Sequence, residues 1–191
     1  MKDRICLSLG AAILLALPQL GAFACNSPAG YVDFGKLPDS AAGSQLVEVN
    51  VGSNLIAMVT RLVQKSEPEV ADLLKGLQSI RVNVIGLDDA NRSEIQDRIR
   101  AIRNQLDTQG WERVVSAQEK KQDVGVYLKT RGQDTVEGLV VTVVDGRKQA
   151  VLINIVGDIK PEKLGTLGDR FNIDPLKKFG APSKKEAAEQ E

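Results

Sequence analysis

VEGLVVTVVDGRKQAVLINIVG, residues 136–157, is the stretch on which the fold turns. Asp145-Gly146 lies between two apolar runs, and that dipeptide suits the tight hairpin turns whose central residues take positive φ. Strands are therefore predicted over 136–144 and 150–157. A strand with one wet face alternates apolar and polar residues, but Leu139 to Val144 and Val151 to Val156 are apolar at nearly every position. Strands of that kind are covered on both sides. One cover is a helix layer. The other is the N-terminal tether, a second protomer, a partner, or the chain itself if the strands sit mid-sheet.

Working outward, residues 124–129 read as a further strand and the region of Trp111 to Ser116 as another. Ile95, Ile99, Ile102 and Leu106 recur at helical spacing and make an apolar stripe that Gly110 stops. Ser93-Glu94-Ile95-Gln96 has the form of a capping box at its start. Ile80-Arg81-Val82-Asn83-Val84 alternates with period two and predicts a strand with one dry face. Ser66-Glu67-Pro68-Glu69 is a second capping box, with proline in the first turn of a short helix ending at Gly76. Residues 46–51 read as a strand, and Gly52-Ser53 opens a helix whose Leu55, Met58, Val59 and Leu62 share one face. A short helix at 161–167 closes the series. The order β-α-α-β-α-β-β-β-β-α, with helices early and hairpins late, predicts an α+β sandwich: a largely antiparallel sheet with helices packed on one face in two layers.

The N-terminus carries a different signal. Lys2 and Arg4 precede an apolar run over 5–17, and the small-residue segment after Pro18 ends in Ala22-Phe23-Ala24. These are the three regions of a secretory signal peptide, and the run is shorter than the roughly 20 residues needed to span about 30 Å of hydrocarbon. The expected organisation is a signal peptide over 1–24, a tether over 25–45, the α+β domain over 46–171, and a charged, disordered tail over 172–191. The tether is rich in Gly, Pro, Ser and Ala, with Tyr31 and Phe34 as aromatics able to dock. Cleavage after Ala24 makes Cys25 the first residue and the one remaining cysteine, because Cys6 leaves with the signal. That position is where a bacterial lipoprotein carries its lipid. Ala22 and bulky Phe23 depart from the aliphatic and small residues of that pattern, so a soluble periplasmic protein and one lipid-anchored to the outer membrane both stand.

Composition narrows the function classes. Removing residues 1–24 from the 191 leaves 167, enough for one domain with a core. The processed chain has 23 basic and 24 acidic residues, so no global field recruits nucleic acid or anionic lipid. Histidine is absent, which removes the commonest general base and the usual zinc ligand. Aromatic residues make up 4%, too few for a base-stacking or sugar-stacking platform.

Several segments together resemble the domain of unknown function 4252 family. They are Val47-Glu48-Val49-Asn50-Val51 running into Leu55-Ile56, the strand Ile80 to Val84, the hairpin at Asp145-Gly146, and Ile155-Val156-Gly157-Asp158-Ile159. The resemblance covers about residues 47–167 and implies an exported bacterial protein of small α+β fold. It brings no activity and no catalytic residues.

The short motifs are weak. Gly30 to Lys36 approaches a phosphate-binding loop, but Leu37 and Pro38 stand where a hydroxyl and a helix are needed. Asp89, Asn91 and Ser93 have calcium-loop spacing, yet Glu94 and Arg100 occupy the positions that require Gly and a bidentate Glu. Asp88 and Asp89 suit the positive end of the following helix. Arg92, Arg98, Arg100 and Arg103 alternate with acids and read as a solvated, salt-bridged face. Trp111 reads as packing against the helix layer, and Asp158 as the N-cap of the last helix. No catalytic residue, metal ligand or cofactor is expected.

These readings predict a non-enzymatic envelope module. It binds a protein partner or itself through the sheet face bearing Leu139, Val141, Val143, Val151, Ile153 and Ile155. The alternatives are a carboxylate-based hydrolase using Asp88, Asp89 or Asp158, and a small-molecule or lipid carrier that opens between helices and sheet.

Overall fold

The computed structural model describes residues 27–37, 45–119, 122–146 and 148–170. The expectations placed on residues 1–24, on Cys25 and on 172–191 lie outside them. The chain runs β1 (Leu46–Gly52), α1 (Ser53–Val63), α2 (Pro68–Lys75), β2 (Leu77–Gly86), α3 (Arg92–Thr108) and β3 (Glu112–Glu119). It continues through β4 (Gln122–Arg131), β5 (Thr135–Asp145), β6 (Gln149–Ile159), a 3-10 turn at Pro161–Lys163 and α4 (Leu164–Arg170). This is the predicted order of strands and helices. The strands form one sheet in the order β1-β2-β6-β5-β4-β3, with every neighbouring pair antiparallel. β5 and β6 join through Gly146, whose φ is 40°, and lie at the centre, as two-sided apolarity requires.

Because successive side chains point to opposite faces, the two central strands feed two separate cores. Val126, Leu139, Val141, Ile153 and Ile155 pack with Ile56 of α1, Leu73 of α2 and Leu164 of α4. Tyr127, Val140, Val144, Ala150 and Leu152 pack against Ile95, Ile99, Ile102 and Leu106 of α3. The fold class is α+β with an antiparallel sheet, but the helices expected on one face are divided between two. The reason is in the strands: a bare face of Val140, Ala150 and Leu152 would forfeit about 25 cal/mol for every Å² left in water.

Helix starts differ in detail from the expected capping boxes. Asn91, not Ser93, occupies the cap of α3, and Glu67 rather than Ser66 that of α2; neither side chain bonds its helix. Asn91 instead ties the preceding turn. Its Oδ1 accepts the Asp88 N–H at 2.9 Å and its Nδ2 donates to Gly86 O at 2.9 Å, while the Asp88 carboxylate accepts the N–H of Asn91 at 2.8 Å. At the other end Gly110 takes φ 74°, and the Trp111 N–H returns to Leu106 O at 3.1 Å, closing α3 as its sequence predicts.

Residues 27–37 form a strap across the α3 face. Val32 and Phe34 are buried beside α3, at 1% and 0% exposure. Asn154, midway along β6 and fully buried, clamps the strap from below: Oδ1 accepts the Val32 N–H at 3.0 Å and Nδ2 donates to Gly30 O at 3.0 Å. Arg98 of α3 donates twice to Phe34 O, at 2.9 and 2.6 Å. Arg81 of β2 donates to the Tyr31 hydroxyl at 2.8 Å and lies 5.2 Å over its ring. Gly138 lets strap and sheet meet, since a Cβ there would lie 2.6 Å from Gly30 Cα and 2.6 Å from Trp111. Residues 27–37 of the expected tether thus dock through Tyr31 and Phe34, with Val32, Phe34 and Leu37 in the domain core. The near phosphate-loop motif is spent in this strap.

Tyr127 is buried under α3 with a phenol oxygen that has no hydrogen-bond partner. Burial pushes its pKa above the usual 10.0, against the opposing charges of Arg113 and Arg103. A raised phenol pKa contributes stability that is complete below the unfolded value and is lost as pH climbs from there through the folded value. Tyr127→Phe is expected to change stability at pH 7 by no more than about 1 kcal/mol, because the ring and its contact with Arg113 at 5.2 Å are kept. It should also flatten the loss of stability above about pH 10, read from urea unfolding between pH 7 and 11.

Candidate interaction surface

The predicted site residues fall in three groups. Leu139, Val141 and Ile155 have no exposed surface, Ile153 is buried, and Val143 and Val151 are half-buried against the same core. Four of the six are interior residues of the α1 and α2 face, and Val143 and Val151 pack at its margin. Trp111 packs at the end of α3 with Leu106 and Tyr127 in the other core, the packing role its position suggests.

The three carboxylates do not meet. Asp88 closes the turn before α3, and Asp89, nearly fully exposed, pairs with Arg92 at 2.8 Å. Both stand beyond the end of the sheet where Gly86 faces Gln149. Asp158 is nine residues further along β6, about 30 Å at roughly 3.3 Å per residue. It is not a helix cap: β6 runs through it to Ile159, and the cap of the 3-10 turn is Lys160. The strand continues because Gly157, at φ 154°, absorbs an irregularity in the pairing with both β2 and β5. Asp158 is exposed and bonds Arg131 at 2.8 Å, and Arg131 also approaches Glu137 at 3.5 Å. Two shallow clefts of about 350 and 270 Å³ share Asp158. The first is lined by Arg131, Glu137 and Gly30, the second by Asp72, Lys75 and Lys163. Lys163 bonds Asp72 at 3.2 Å and holds its carboxyl below the ordinary range. The first cleft thus holds the Arg131 ion pairs with Asp158 and Glu137, and the second the Lys163–Asp72 pair together with Lys75 and Lys160.

The arginines of α3 are only partly a solvated face. Arg92 and Arg100 pair with Asp89 and Asp97 along the surface, whereas Arg98 reaches the strap and Arg103 reaches Asp123 at 2.8 Å and Thr142 at 3.0 Å. Among the described residues, no cluster of three potential metal-ligating side chains exists and no helix is long and apolar enough to cross a membrane.

What remains unexplained by the fold is an apolar surface at one edge. Among the described residues, β1 pairs with β2 alone and ends the sheet. Its register opposite β2 puts Val47, Val49 and Val51 on the face where Ile80 and Val82 meet Ile56 of α1. Gly52 then leads into α1 without a loop. α1 buries only Ile56 and Thr60. Its apolar stripe of Leu55, Met58, Val59 and Leu62 is turned to solvent, with Met58 53% and Leu62 74% exposed. Val47 and Val49 of β1 are 40% and 44% exposed on the same side of the sheet. Scattered exposed apolar residues are ordinary, but a contiguous patch marks a place where another surface binds.

The model of the domain of unknown function 4252 family matches residues 42–167, and the chain belongs to that family. No curated protein and no solved structure matches it.

Proposed function

We propose that the chain is an exported envelope protein that acts by binding protein, either a partner or itself. The surface for this is the edge formed by α1 and β1, in place of the interior face around Val141 and Ile153. The observation that carries this reading is the outward apolar stripe Leu55, Met58, Val59 and Leu62 beside a strand edge that no described residue pairs. Such a helix face gives an i, i+3, i+4, i+7 set of anchors for a partner, and the strand edge offers main-chain hydrogen bonds.

Export rests on Lys2, Arg4, the apolar run after them and the Ala22-Phe23-Ala24 junction. Cys25 then decides between a soluble periplasmic protein and one held at the outer membrane by lipid. Stable anchoring needs more than one acyl chain, and the intact mass of the purified protein reads the state of Cys25 directly.

A photo-crosslinking amino acid at Leu62, compared with one at exposed Asn104 on α3, tests the binding surface in cells. A protein adduct formed from position 62 and not from position 104 is the expected result. No adduct from position 62 would remove the proposal.

A further inference from the structure

We infer that the occupant of this surface is a second copy of the same chain, paired β1 to β1 and α1 to α1 about a two-fold axis. The inference rests on the reading that the edge binds protein, and it specifies the partner. Three observations carry it.

The first is area. At about 150–200 Å² for a fully exposed Val, Leu or Met, the exposed parts of Val47, Val49, Leu55, Met58, Val59 and Leu62, all on the α1 side, amount to roughly 500 Å². Two copies would bury about 1,000 Å² from these side chains alone, the rough size a biological interface has to reach.

The second is self-complementarity. A two-fold interface must match a surface to itself, and an antiparallel edge strand does so when a residue opposes its own copy. Centred on Val49, the register sets Glu48 opposite Asn50, Val47 opposite Val51 and Leu46 opposite Gly52. No like charges face each other. A register centred on Glu48 would set carboxylate against carboxylate, which is destabilising.

The third is continuity. The two apolar elements are consecutive in the chain and lie on the same side of the sheet, so one axis serves both. Strand pairing extends the six-stranded sheet into one of twelve, and the α1 stripes meet above it.

The test uses the full chain with its own leader and Cys25→Ser, purified from cells. Light scattering on this protein is expected to give the mass of two chains at micromolar concentration. Leu62→Asp is expected to give one chain, with association at least about 100-fold weaker because the symmetry buries the new charge twice. Its melting when fully dissociated should be unchanged, since Leu62 is 74% exposed.

Register is read separately. Opposed residues in an antiparallel pair lie about 4.5–5.5 Å apart at Cα, within disulfide range. Val49→Cys should therefore oxidise to a linked pair, and Val47→Cys, displaced from its own copy by about 13 Å, should not. One chain at every concentration, or two chains unaffected by Leu62→Asp, overturns the inference. If the chain is single but position 62 still crosslinks to a different protein, the broader reading survives without this one. If position 62 crosslinks to nothing, both fall.

Discussion

Asn154→Leu is expected to cost roughly 2–5 kcal/mol of unfolding free energy, read from urea midpoints at constant slope. Asn154 has no exposed surface and serves both the Val32 N–H and the Gly30 carbonyl, each at 3.0 Å, with Leu139 O at 3.3 Å as a further acceptor. Leucine matches its size but leaves those backbone groups in a dry interior without partners. A buried donor or acceptor left unmade costs about 1–3 kcal/mol, far more than the net worth of an ordinary hydrogen bond. The strap over the α3 face would then be held by Arg81, Arg98 and apolar packing alone.

Phe34→Ala comes next, at roughly 3–5 kcal/mol. Phe34 is fully buried among Ile95, Ile99 and Ile85, in a segment whose backbone is pinned at its own carbonyl by Arg98. Pinning prevents the strap from sinking into the vacated space, so the cavity term is paid in full. Asp33→Ala is the control. Asp33 is exposed and accepts one local bond from the Gly35 N–H at 2.8 Å, so its loss should stay within about 1 kcal/mol. Losses below about 1 kcal/mol for both Asn154→Leu and Phe34→Ala would mean that residues 27–37 are a detachable tether after all.

Much of the architecture was legible because it is local. The stripe Ile95, Ile99, Ile102 and Leu106 lies wholly inside, and Gly110 ends the helix with the positive φ its position implies. The alternation of β2 and the hairpin of β5 and β6 likewise follow from neighbouring residues. The doubly apolar central strands even announced that both faces would be closed. What they could not announce was by what, and the N-terminal strap proved to be half of the answer.

Periodicity failed where the outcome depends on topology. The α1 stripe has the same spacing as that of α3, yet one faces the core and the other faces water. A periodic pattern establishes a face but not its cover. The cover depends on β1 being an edge strand, which follows from long-range pairing that puts β6 beside β2. Two-sided apolarity alone points to the face of Leu139, Val141, Val143, Val151, Ile153 and Ile155, side chains that pack into or against the fold's own core.

Two further signals were present in the sequence. Asn154 interrupts the run Leu152-Ile153-Asn154-Ile155, and a polar residue inside a dry strand demands partners. Those partners were Gly30 and Val32, in a segment without periodicity of its own. Asp158 after Gly157 has the look of a helix cap, but a glycine that accommodates a bulge lets the strand run on instead. Its carboxylate then meets Arg131, far from Asp88 and Asp89.

On the proposed reading, the α1 and β1 edge is covered by protein in the cell. Cysteines introduced singly at Met58, Leu62 and Asn104, in a Cys25→Ser background, test it by labelling with a small maleimide in intact cells and in dilute purified protein. Position 104 should label equally in both settings, whereas positions 58 and 62 should label slowly in cells and rapidly when dilute. Equal rapid labelling at all three positions in cells would contradict the account.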